Sequence, residues 1–214
     1  YYGPFHAGVA WPLLPDVELR PLGRTWKPQD VPSGDAIGEC LENHTLDEAC
    51  VLARRMAAGA RRGRATVDAL RRRFAGNPDR LRDLGVMEAL ELLFSSGSDI
   101  FDFYRARAQA LYESRRRGNP AGALRALATM RACVEREKDV TRAMLPLAEG
   151  DSRIGFHSEA EAHQFHPAKL RWRLGRLDAA EKNARHALRV RPNGPETKRA
   201  LENILKAKAE MEQR

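Results

Sequence analysis

Cysteine is scarce in this chain. Cys40, Cys50 and Cys133 form an odd set with no Cys-x-x-Cys pair, which excludes a disulfide framework and a thiolate zinc site on spacing. The expectation is buried single thiols, the usual state of a free cysteine. Long hydrophobic runs are also absent: no stretch approaches the roughly 18 apolar residues that a membrane-spanning helix needs. No positively charged and then apolar leader is present. The chain opens Tyr1-Tyr2-Gly3-Pro4 without an initiator Met, which predicts a piece of a longer protein. Lysine is rare beside arginine, occurring only at Lys27, Lys138, Lys169, Lys182, Lys198, Lys206 and Lys208. A net charge of +8 and a pI near 9.8 raise the question of nucleic acid. However, the clusters Arg54-Arg55, Arg61-Arg62-Arg64, Arg71-Arg72-Arg73 and Arg115-Arg116-Arg117 have no interleaved aromatics to stack bases. Nucleic acid is therefore not the expected partner, and neither is a membrane.

Catalytic signatures are missing as well. There is no Gly-rich phosphate loop, no His-x-x-x-His on a helix and no Gly-x-Ser-x-Gly elbow. His157, His163 and His166 cluster in sequence, but their spacing straddles a turn and no Cys is near, so no metal site is expected. No cofactor is called for.

What is present is helical. With 214 residues, 43% of them apolar, the chain has material for a sizeable core. Residues 1–44 stand apart: Tyr1, Tyr2, Phe5, Trp11 and Trp26 lie among six prolines, a density that forbids a continuous helix. Either Trp11 and Trp26 pin this irregular segment to the helices, or its aromatics and carboxylates recognise a sugar or peptide.

From Thr45 the signals are those of helices. Thr45 and Glu48 form a capping box, and Leu46, Ala49, Cys50, Ala53, Met56 and Ala60 make a small-residue stripe that Gly63 is expected to end. A short helix follows over Thr66–Phe74. Asn77-Pro78 and Asn119-Pro120 each place Asn at an N-cap and Pro at the first helical position. After the first come Leu81, Leu84, Met87, Leu90 and Phe94, then a break or kink at Ser95-Ser96-Gly97-Ser98. Ile100, Phe101, Phe103, Tyr104, Ala108 and Leu111 resume the pattern. After the second come Leu124, Leu127, Met130, Val134, Val140, Met144 and Leu147, with Glu135, Glu137, Lys138 and Asp139 on the solvated side, Glu137 close to the apolar seam. Asp151–Phe165 then interrupts the helices. It reads as a turn anchored by Ile154, Phe156 and Phe165, in which Asp151 and Arg153 satisfy backbone groups or pair with each other; the alternative is a loop that docks on a neighbouring domain or lines a site. A helix opening at Gly175 and another from Gly194-Pro195 to about Met211 complete the chain. The expected organisation is residues 1–44 irregular, 45–150 a long-helix bundle, and 151–214 a turn plus helical hairpin.

Two resemblances add to this. Gly175, Leu177, Ala180, Ala187 and Pro192 resemble the second half of a tetratricopeptide repeat, while Pro167 departs from its first half. Separately, Tyr2-Gly3-Pro4, Ala10-Trp11-Pro12-Leu13, Leu46–Met56, Phe103-Tyr104-Arg105-Ala106-Arg107 and Asp151–Phe156, taken in order, resemble the C-terminal helical region of large bacterial glycoside-hydrolase-like proteins, the α-glucuronidases and hexosaminidase-like enzymes. That resemblance implies a non-catalytic helical part flanking a barrel, outside this chain, that does the chemistry. It makes Tyr2, His6, Trp11, Asp35 and Glu39 the candidates for contacting a glycan, and leaves the catalytic residues unassigned. The implied partners are a glycan or an upstream catalytic domain, or, for a tetratricopeptide-type module, a protein. The fold class expected is mainly α: an antiparallel helical bundle or array with an irregular N-terminal segment and a repeat-like C-terminal helical hairpin.

Overall fold

The computed structural model describes residues 44–157, 162–163 and 165–189. Four long helices dominate them: α1 (Leu46–Arg73), α2 (Pro78–Arg115), α3 (Pro120–Gly150) and α4 (Pro167–Arg189). The protein is thus a mainly α, antiparallel helical array. Packing runs serially, α1 on α2, α2 on α3 and α3 on α4. Cys40, the irregular segment up to residue 43 and the helix expected after Gly194 lie outside the described residues. No described helix is long and apolar enough to cross a membrane.

Local chemistry starts each helix. Thr45 Oγ1 accepts the Glu48 amide at 3.2 Å while Glu48 accepts the Thr45 amide at 2.8 Å, and this backbone donor holds the Glu48 carboxyl below its ordinary range. Asn77 and Asn119 cap α2 and α3 through the amides of Arg80 and Gly122, both at 3.1 Å, with Pro in the first turn of each helix.

Two expected breaks do not occur, and one expected helix start lies earlier. Helix α1 runs straight through Gly63, whose missing Cβ faces open space. A solvent-facing glycine weakens a helix interior by only about 1 kcal/mol relative to alanine, and pairing along the whole length of α1 with α2 overrides that. Gly63→Ala is accordingly expected to raise unfolding stability by about 0.5–1 kcal/mol, measured by urea denaturation. Helix α2 likewise passes through Ser95–Ser98, because Ser96 and Ser98 are buried at the helix contacts. Helix α4 begins at Pro167, not Gly175. Pro167 takes the N-terminal position where a missing amide is harmless, and Gly175 lies inside the helix.

The core also departs in detail from the stripes. Helix α1 buries Ala49, Cys50, Ala53 and Ala57. On α2, Leu84 and Ala89 turn inward, whereas Met87 and Leu90 face out, with Met87 52% exposed. The face of α2 at Gly85 and Ala89 meets α3, with a Cβ at Gly85 falling 3.8 Å from Leu147. That rotation leaves Met87 on the far side.

The connection from α3 to α4 is the expected turn. Arg153 donates its backbone amide to Asp151 at 2.9 Å and its guanidinium to the same carboxylate at 2.6 Å, which holds Asp151 below its ordinary range. Arg153 also reaches Asp83 on α2 at 3.4 Å. Ile154 and Phe165 anchor the turn in a core with Ala89, Met144, Ala148 and Leu170. Phe156 does not: it is 50% exposed, its ring edge-on to His163. An unexpected antiparallel pair, β1 (Phe156–His157) and β2 (Ala162–His163), closes the connection. Gly155 has φ +88°, and a Cβ there would run into the Phe165 carbonyl, so only glycine fits.

Candidate functional site

Charge concentrates where α2, α3 and α4 meet. Helix α3 presents Met130, Val134, Glu137, Thr141 and Met144 at alternating four- and three-residue steps, all buried. This is an apolar seam with two polar residues at its centre. Helix α4 answers with Leu170, Arg173 and Leu177, again on one stripe and buried. Glu137 is 0% and Arg173 1% exposed, and their ion pair measures 2.5 Å. Arg173 also donates to Thr141 Oγ1 at 2.5 Å, and Thr141 donates to the Glu137 carbonyl at 2.6 Å. From α2, Ser96 Oγ donates to Glu137 Oε2 at 2.7 Å. One carboxylate thus ties three helices. Glu137 is therefore buried and not on the solvated side that its charge predicts: its position on the seam outweighs its charge, because Arg173 neutralises it.

A second pair lies alongside. Asp99 on α2 takes the Arg136 guanidinium at 2.6 Å. Burial, reinforced by the neighbouring Glu137 carboxylate, pushes Asp99 up to about 6 despite Arg136. Arg136 also donates to Cys133 Sγ at 3.2 Å. Cys50 and Cys133 are free and buried, as expected. Burial raises their thiols to about 11 and about 12, which keeps them protonated and unreactive.

Three arginines of α1 fasten it to α2. Arg54 pairs with Asp102, Arg64 reaches Glu88 and Glu91 at 3.3 Å, and Arg71 reaches Glu88 at 2.5 Å. Within Phe103–Arg107, Arg105 pairs with Asp47 at 3.6 Å, while Arg107 is buried beside the Tyr104 ring.

No protein-family profile, curated protein or solved structure matches this chain.

Tyr2, His6, Trp11, Asp35 and Glu39, the expected glycan contacts, lie outside the described residues. Among the described residues, no group of three or more His, Cys, Asp or Glu is placed to hold a metal ion; His163 Nε2 instead lies 2.9 Å from the Ser152 carbonyl. The centre at Glu137 and Arg173 was partly legible, since both residues fall on seams of period 3.5 between apolar neighbours. Chemically it can orient helices and, through Asp99, take up a proton near pH 6. A fully buried ion pair bonded to helix side chains does not present a group to a substrate.

Proposed function

We propose that the chain is a non-catalytic helical scaffold whose work is to hold and present surfaces to other protein parts. The observation that carries this is where the polar groups of the described helices are used. Ser96, Asp99, Glu137, Thr141 and Arg173 bond one helix to the next, and the most buried of them are sealed from solvent. Serial packing of long antiparallel helices is also how helical repeat scaffolds are built, in line with the tetratricopeptide-like spacing at the C-terminal end. A single buried ion pair between two apolar seams serves to fix register.

A second reading places the same scaffold beside the active site of a larger carbohydrate-active protein. What supports it is the resemblance in sequence alone, in which Asp151–Phe156 is one of the stretches. Turnover of aryl glycosides by the full chain tests the non-catalytic claim. None above background is expected; turnover that co-purifies with the chain would overturn it. Oligosaccharide binding lost on replacing Trp11 and Glu39 would favour the second reading over a purely protein partner.

A further inference from the structure

The inference rests on the scaffold reading and names a partner for one outward surface. Helix α1 buries Ala49, Cys50, Ala53 and Ala57. Its opposite side carries a second row, Val51, Arg55, Ala58, Arg62, Ala65 and Ala69, at alternating four- and three-residue steps. Such steps keep side chains on one stripe of a helix, and this one reaches Arg72 and Arg73, about 33 Å from Val51 at 1.5 Å per residue. Val51 is 44% exposed, and Arg55, Arg62, Ala65, Ala69, Arg72 and Arg73 are exposed.

Two sets stand out among the arginines of α1. Arg54, Arg64 and Arg71 reach carboxylates on α2. Arg55, Arg62 and Arg72 meet no carboxylate among the described residues, and no acidic residue interrupts the outer row. The acids of α1 are engaged elsewhere: Asp47 with Arg105, Glu48 in the Thr45 cap and Asp68 with Arg64. The outer row is a positive seam, with small side chains between its arginines.

We propose that this row of α1 docks an acidic amphipathic helix of a partner protein. Charge complementarity selects the sign: guanidinium forks take carboxylates in pairs. Ala58, Ala65 and Ala69 select the shape, because small residues let a second helix axis approach to about 8 Å. Val51 supplies an apolar contact at one end. A nucleic-acid duplex would use the arginines but leave Val51 and the alanines idle, and no aromatic on the row stacks a base.

The test uses the full chain and a labelled synthetic helix of about four heptads, with Ala along its seam and Glu where the arginines face. Binding is read by fluorescence anisotropy. Binding is expected to weaken at least roughly tenfold in Arg55→Glu/Arg62→Glu, to fall as salt is raised, and to weaken comparably in Ala65→Trp, which blocks close approach. These positions are solvent-facing, so the thermal melt of each variant should match that of the parent. No binding by the parent chain, or equal binding by both variants, would overturn the proposal. Preferential binding of a duplex through the same arginines, indifferent to Ala65→Trp, would also overturn it and assign the row to nucleic acid. Failure here with no glycoside turnover removes this inference alone, whereas turnover removes the scaffold reading whatever the synthetic helix does.

Discussion

Arg173→Met is expected to destabilise the fold by about 3–5 kcal/mol. Methionine fills much of the volume and suits the apolar seam between Leu170 and Leu177, so lost packing is a small part of the effect. The large part is Glu137, which remains with 0% exposure and without the guanidinium 2.5 Å away. Ser96 still donates to it, but one neutral hydrogen bond does not offset a buried carboxylate. The partner change separates these terms. Glu137→Leu combined with Arg173→Met removes both charges, and apolar replacement of a buried pair is often neutral or stabilising. The double variant should therefore recover most of the loss. Urea denaturation of the parent, both single variants and the double variant gives the coupling. Single variants that cost under about 1 kcal/mol would show that the pair does not join α3 to α4.

The second large effect depends on pH. Asp99 has its carboxyl raised from an ordinary 3.8 to about 6, first by burial and then by Glu137. The folded chain therefore holds this proton more tightly than the unfolded chain does. Between about pH 4 and pH 6 the folded state carries more protons, so the contribution of Asp99 to stability falls as pH rises through that window. A shift of about two units corresponds to roughly 3 kcal/mol at most. The groups facing Asp99 are Arg136, Glu137 and Cys133 from α3 and Asp102 from its own helix, with Arg54 of α1 engaged by Asp102. Asp99→Asn removes the titration and loses only a half-exposed partner in Arg136, worth under about 1 kcal/mol. It is expected to be more stable than the parent by about 1–2 kcal/mol at pH 7.5, and level with it or below at pH 4.5. Denaturant midpoints at the two pH values check this. An equal deficit at both would mean that Asp99 acts through packing alone.

The sequence was informative where a local rule decides the structure. The Thr45 capping box, the Asn-Pro starts of α2 and α3, and the Asp151–Arg153 turn all follow from groups within a few residues of one another, and all are realised. The failures share one cause. Gly63, Ser95–Ser98 and Gly175 are local helix weakeners, and each was overruled by contacts with a neighbouring helix that the sequence does not display. Met87 faces out for a similar reason: an apolar stripe does not say which of its edges the partner covers. The centre was half visible. Glu137 and Arg173 each occupy a seam position, a signal readable from spacing, but nothing in the sequence pairs residue 137 with residue 173 rather than with solvent. The arginine clusters were the least legible. Their division into pairs across to α2 and an outward row depends on the rotation of α1 about its axis, which the buried Ala49–Ala57 face sets.

Native-state hydrogen exchange tests most directly the claim that one buried charge centre locks the helices into a single rigid array. The account predicts that amides of Ser96–Phe101 on α2, Cys133–Thr141 on α3 and Leu170–Arg173 on α4 exchange together, at the free energy of global unfolding. In Arg173→Met the α4 amides should drop to a lower free energy of their own. If α4 already exchanges independently and easily in the parent chain, the Glu137–Arg173 centre does not join it to the array, and the scaffold account is contradicted at its centre.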